Sequence, residues 1–216
     1  MSGVVPGSTP AMGMIGRALE SVESFRPIDR IDEPLQRWLR RRLPDNRIVN
    51  FIRGSWLGHP LHPILVQVPI GAWLSSAILD AVPGQHTAAR RLVLSGIISA
   101  VPAAIVGVVD ARDLTPRPRR VAGVHAATNS TALACYITSY LLRRNGRIDT
   151  AKRWSLLGLT AVSIGGLLGG HMAYAQGAGV GRWQPELRHR ISEETPATPA
   201  MAEETAEERW PVSSRR

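Results

Sequence analysis

The side chains of this sequence that could bind a metal or cofactor are few: His59, His62, His125 and His171, Asp110, and the polar neighbours Asp113 and Asn129. Imidazoles offered at matched depth by facing helices suit haem iron held by two axial histidines. His62, His125 and His171 are the candidates for that role. Without a Cys-x-x-Cys-His motif, any haem would be b-type. A His/Asp set without thiolates also suits Zn, Cu or non-haem Fe, and the set would then be His59, His62, Asp110, His125 and His171. The alternative is structural. His125 could hydrogen-bond Asn129 or Asp110, and His59 and His62 could be interfacial residues at a helix start, where Pro60 and Pro63 are also at home. No nucleophile–base pair, phosphate loop or paired carboxylate argues for an enzyme.

Four apolar runs must position these groups: Ile64–Val82 with one charge, Asp80, and then Leu92–Val109, Val121–Leu142 and Trp154–Gly181 with none. A hydrocarbon core about 30 Å thick needs roughly 20 helical residues. A soluble bundle would carry charges every third or fourth residue of each helix, and four runs lack them. The reading is an all-α integral membrane four-helix up-down bundle, with spans at about 62–82, 91–110, 121–142 and 153–174 inside a domain 57–182. Pro69 and Pro102 lie within spans, where neighbouring helices can satisfy the freed carbonyls. Small residues recur four apart, as in Gly96/Ala100/Ala104, Ala122/Ala126/Ser130/Ala134 and Gly165/Gly169. They allow close helix packing, and beside the histidines they would also leave room for a flat macrocycle.

Short connections make neighbouring spans antiparallel and put both termini on one side. His59, His62, Asp110, Asp113, His125, Asn129 and His171 then return to one leaflet as a polar layer, and His86 and His189 do not join it. Lys and Arg near span ends number twelve on the terminal side against seven on the other. That bias places both termini in the cytoplasm of a bacterial inner membrane. Asp80 is expected to pair with Arg90 or Arg91, and Trp56, Trp73, Trp154 and Trp183 to form part of an aromatic belt.

The flanks differ from the middle. The first sixty residues lack the apolar core of a signal peptide. Residues 1–26 are expected to be loosely ordered, with a short helix over Met12–Val22. In residues 34–43, Pro34 suits a first helical position, and Leu35, Trp38, Leu39 and Leu43 share a face with Arg37, Arg40 and Arg41 around it. Such a basic amphipathic helix lies on a membrane surface, and its expected partners are the bilayer and anionic lipid headgroups rather than nucleic acid. Residues 1–56 are thus a basic interfacial segment. Residues 183–216 form a tail, disordered from Ile191, in which Trp210 is either a docking anchor or without a role. The net charge of +9 fits the lipid reading, and the lone Cys135 is a small buried side chain.

Trp56-Leu57-Gly58-His59-Pro60-Leu61-His62-Pro63, Val68-Pro69-Ile70-Gly71-Ala72-Trp73, Gly107-Val108-Val109-Asp110, Arg120-Val121-Ala122-Gly123-Val124-His125 and Gly169-Gly170-His171-Met172-Ala173-Tyr174 together resemble the bacterial "domain of unknown function 2231" membrane family, in the style of its actinobacterial members. The resemblance covers roughly residues 47–182, and Gly-His-Pro-Leu-His-Pro is its most specific part. It implies a four-helix membrane domain without an established activity. Some related chains continue into a Rieske iron–sulfur domain, whereas this tail lacks the Cys/His pairs such a centre requires. The His171 position is Glu in many relatives, which fits hydrogen bonding or a general metal role better than axial ligation.

Two functions compete. One is a redox module holding b-type haem or a divalent metal, served by a redox partner in trans. The other is a non-catalytic anchor or assembly protein whose polar layer orders the bundle. A proton or solute path ranks last, because spans two to four carry no acidic residue in their interiors.

Overall fold

The computed structural model describes residues 13–179 and 182–183, and every regular element among them is helical. The chain divides into two compact units after Gly179. In the second, the Arg182 guanidinium lies 5.4 Å from the centre of the Trp183 ring. His189, Trp210 and the tail from Ile191 lie outside the described residues.

The first unit begins with α1 (Met14–Ser24), α2 (Asp29–Arg42) and α3 (Arg47–Ile52). Helix α2 starts earlier than expected from Pro34, which lies inside it. Asp29 and Asp32 in the first turn complement the helix N-terminus, and a 3-10 turn at Arg26–Ile28 leads in. Next come α4 (His62–Leu65) and α5 (Gln67–Asp80), which together make one apolar segment interrupted at Val66. Pro69 explains the interruption, since it has no N–H for the carbonyl of Leu65, four residues earlier. The Gln67 amide donates to the Pro63 carbonyl at 3.2 Å, supplying one of the missing bonds. Helices α6 (His86–Ala111), α7 (Pro116–Arg144) and α8 (Ile148–Gly170) follow, and α8 runs into a π turn at His171–Ala175.

Helices α6 and α8 bury mostly small residues and expose large ones. Helix α6 buries Ala89, Val93, Gly96 and Ala103 while Ile98, Val101, Ile105 and Val108 face outward. Helix α8 buries Ala151, Ser155, Gly158 and Gly165 and exposes Leu156, Leu157, Ile164 and Leu167. Water would drive the opposite arrangement, whereas lipid chains solvate the outward residues and close contact holds the small ones. Three segments, His62–Asp80, His86–Ala111 and Ile148–Ala175, are long and apolar enough to cross a membrane. Helix α7, rich in Thr, Ser and Ala, is not among them. Its Thr128, Thr131 and Thr138 hydroxyls each donate to a carbonyl three or four residues back.

Helices α4–α5 with α6, and α7 with α8, form two hairpins. Both turns use a left-handed glycine, Gly84 and Gly146. The second hairpin repeats the first. Buried Trp73 and Ser76 correspond to buried Tyr136 and Ser139, sixty-three residues later. Buried Ala89, Val93, Gly96, Ala103 and Val106 correspond to buried Ala151, Ser155, Gly158, Gly165 and Leu168, sixty-two residues later. Matched residues also meet. Trp73 stacks on Tyr136 with ring centroids 4.2 Å apart, and Asp80 takes both Nη groups of Arg143. Residues that touch their own counterparts lie on a twofold axis, here a pseudo-twofold relating two parallel repeats.

Two sequence expectations change here. Trp73 is core, only 3% exposed, and not part of an aromatic belt. Asp80 pairs with Arg143 rather than with Arg90 or Arg91, because Arg143 is its counterpart across the axis and lies buried beside Ser139 and Ser155. Cys135 is buried as expected.

Candidate functional site

The polar layer forms at the end of the bundle where α4 begins and α6 ends. Its position depends on the turn before α4. Gly54 and Gly58 both take left-handed conformations there, and Leu61 N–H donates to the Arg53 carbonyl. A Cβ on Gly54 would stand 2.3 Å from the His59 carbonyl oxygen, so the turn has no room for another residue. His59 is exposed on this turn, and His62 is carried to the first position of α4.

His62 Nδ1 lies 2.8 Å from the Ala103 carbonyl on α6, and its ring occupies the space over Gly107. His125 does the same on the other hairpin, with Nδ1 2.8 Å from the Gly165 carbonyl on α8 and its ring over Gly169. In each case the glycine stands one turn beyond the accepting carbonyl, and its missing side chain uncovers that oxygen. A carbonyl oxygen can only accept, so these contacts assign the proton to Nδ1 in both rings. His62 and His125 are another matched pair, and their rings meet edge to face with centroids 6.2 Å apart. The Asn129 amide nitrogen donates to the His125 carbonyl at 2.8 Å and lies 3.2 Å from His125 Nε2. The Asn129 side chain fills the space over Gly165.

The other candidates have separate partners. His171, on the π turn, bonds Glu23 of α1 through Nε2. Asp110 accepts from Arg53 Nε at 3.2 Å, and Asp113 lies 2.7 Å from Arg53 Nη2. Among the described residues, no three His, Cys, Asp or Glu side chains come together as a metal ion would require. His62 and His125 meet each other, whereas Asp110 and His171 have their own partners and His59 stays exposed on its turn. The spaces beside Gly165 and Gly169, where the sequence left room for a macrocycle, hold the side chains of Asn129 and His125, and His62 occupies the one over Gly107.

Helix α2 closes this end of the bundle. Gln36 donates to the Leu114 carbonyl at 2.7 Å, Arg40 to that of Arg112 at 2.8 Å, and Arg112 to that of Leu43 at 2.7 Å. Arg120, at the start of α7, grips both oxygens of Asp29, and Arg119 adds bonds to Asp29, Glu33 and Gln36. The Arg120 hydrogen bonds, opposed by some burial and helped by Arg119, bring the Asp29 carboxyl down to about 2. Asp29 in turn holds the Arg120 guanidinium above its ordinary value. Burial pushes Asp32 upward against the pull of Arg119, and its Oδ2 is enclosed without a hydrogen-bond partner. The inward face of α2 is Gln36 and Leu39, while Ile31, Leu35 and Trp38 point away from the bundle. Leu39 thus leaves the face on which the sequence placed it with Leu35 and Trp38.

Both hairpins and the layer fall within a stretch, residues 58–182, that matches the family model described as predicted membrane protein DUF2231. The chain belongs to the DUF2231 family. The match opens on Gly58, the first residue of Gly-His-Pro-Leu-His-Pro, and so includes His59, His62, His125 and His171. No curated protein and no solved structure matches this DUF2231 chain.

The sequence reading missed Arg53, Glu23, Arg143 and the repeat itself. The signal for the repeat was present: His62/His125, Ser76/Ser139, Gly84/Gly146, Gly96/Gly158 and Gly107/Gly169 are identities at an offset of 62 or 63. Glu23 and Arg53 had no comparable signal, because they lie outside the apolar runs.

Proposed function

We propose that this chain is a non-catalytic membrane anchor, crossing the bilayer four times with both termini in the cytoplasm and presenting a basic N-terminal platform to anionic headgroups. One observation carries the reading. The two layer histidines that meet on the axis each bind a backbone carbonyl of the second helix of their hairpin and fill a glycine gap there. That is what side chains holding helices together must do. Support for α7 as a fourth span comes from its close packing on α8 and from Arg120 and Arg143, which bracket an uncharged stretch. Exposed Ile31, Leu35 and Trp38 beside exposed Arg37 and Arg41 give α2 the surface of an interfacial helix.

The test is thermal unfolding of the detergent-solubilised full chain carrying His62→Ala or His125→Ala. Each removes a ring from a filled gap and one hydrogen bond, an expected loss of about 1–3 kcal/mol. Variants as stable as the parent would overturn the reading. Reporter fusions at both termini and in the turns at 81–85 and 145–147 test the topology.

A second reading has one observation in its favour. Both rings give Nδ1–H to a backbone carbonyl, the orientation that such a hydrogen bond imposes on metal-binding histidines. A single divalent metal between His62 and His125 would appear as stoichiometric metal in elemental analysis, lost in His62→Ala.

A further inference from the structure

The far end of the bundle holds an unexplained basic cleft. Arg90, Arg91 and Leu94 of α6 and Tyr140 and Arg144 of α7 line a cavity of about 330 Å³. Among the described residues, no side-chain hydrogen bond or ion pair engages Arg90, Arg91 or Arg144. The cleft carries three positive charges and no carboxylate. At this end of the bundle Asp80 is held by Arg143.

The repeat sharpens the contrast. The counterparts of Arg90 and Arg91 in the second hairpin are Lys152 and Arg153. Lys152 reaches across the axis and donates to the Asp80 carbonyl at 2.7 Å. Arg90 makes no such bond and borders open space instead. Symmetry is thus broken where a cavity and guanidinium groups without side-chain partners coincide. Depth is informative as well. Arg91 and Asp110 lie nineteen residues apart on α6, about 29 Å along the helix axis, close to the thickness of the hydrocarbon core. With Asp110 at one boundary, the cleft sits at headgroup level on the other. Guanidinium groups match phosphate oxygens in pairs, and a phenol adds a further donor.

We propose that this cleft binds a phosphate-bearing anion. The phosphate belongs to an anionic phospholipid headgroup or to free phosphate, and the experiment separates the two sources. Full chain would be placed in nanodiscs of phosphatidylglycerol and phosphatidylcholine and its retained lipid counted by native mass spectrometry. In parallel, inorganic phosphate would be titrated into detergent-solubilised protein. The variants are Arg90→Gln/Arg91→Gln/Arg144→Gln and, as a control at the same end, Arg147→Gln/Arg153→Gln. Retention of phosphatidylglycerol that falls about ten-fold in the triple variant but not in the control assigns the site to lipid; the same pattern with phosphate assigns it to the free anion. Equal binding by the parent and the triple variant in both assays would overturn the proposal, as would equal loss in the control. If the triple variant does not fold, the exposed pair Arg91→Gln/Arg144→Gln decides: weaker binding upholds the site and unchanged binding refutes it.

Discussion

Trp73 lies flat on Tyr136, with ring centroids 4.2 Å apart and planes 7° from parallel. Each ring also covers a glycine of its own hairpin, Trp73 over Gly96 and Tyr136 over Gly158. The stack lies between two other contacts of matched residues, His62 with His125 towards one end and Asp80 with Arg143 towards the other. Three unlike interactions thus follow the axis between the hairpins. The stack is apolar, the histidine contact is polar, and the end pair is ionic.

The Tyr136 hydroxyl is buried without a hydrogen-bond partner. Tyr136→Phe should therefore leave stability unchanged or raise it by up to about 1 kcal/mol, because an unsatisfied polar group is removed and the stack is kept. Trp73→Ala should cost about 3–5 kcal/mol, the range for a large ring deleted from a core. Thermal unfolding in detergent measures both, and a destabilised Tyr136→Phe would mean the hydroxyl has a partner.

Asp80 and Arg143 are nearly or fully enclosed, so removing one partner strands the other charge. Asp80→Asn or Arg143→Met alone should cost about 3–5 kcal/mol, and combining Asp80→Leu with Arg143→Met should recover a large part of that loss. A double-mutant cycle on unfolding free energies reads the coupling. Additive losses would contradict a paired site.

The glycines differ in what they face. A Cβ on Gly96 would stand 2.2 Å from Trp73 Nε1, whereas one on Gly166 meets nothing within 4 Å. Gly96→Ala should cost about 1–3 kcal/mol by forcing the indole aside. Gly166→Ala should instead stabilise by about 0.5–1 kcal/mol through helix propensity. The two variants compared in one unfolding assay test whether the small residues pack helices or merely line them.

How much of this was legible follows from the physics of each feature. Uncharged runs between charged ends marked the helices, because lipid tolerates no alternative. The layer was legible as a depth, since antiparallel spans return Asp110, His125 and His171 to the level of His62. Partner choice was not legible. Depth does not say which way a side chain turns, so His171 faces Glu23 and Asp110 faces Arg53, both from segments beyond the apolar runs. Gly165 and Gly169 were open to two meanings, a slot or a close contact, because the sequence does not tell where the Asn129 and His125 side chains turn, and both lie against these glycines.

Docking of α2 should respond to acid with a definite sign. Asp29 sits at about 2 in the folded chain against 3.8 unfolded, so its contribution is complete above about 4 and fades as pH falls towards 2. The melting-temperature gap between the parent and Asp29→Asn should close over that interval. Asp32 has the opposite sign: its carboxyl is raised by burial, and what it contributes is lost as pH rises through its folded value. Asp32→Asn should melt higher than the parent at neutral pH, and the advantage should vanish in acid.

We propose that His62 and His125 serve to hold the hairpins together rather than to ligate haem. The most direct test of this proposal is the visible absorption spectrum of the purified full chain, oxidised and reduced. No Soret band is expected in either state, and His125→Ala should be spectrally identical to the parent though less stable. A Soret band that disappears in His125→Ala would contradict it.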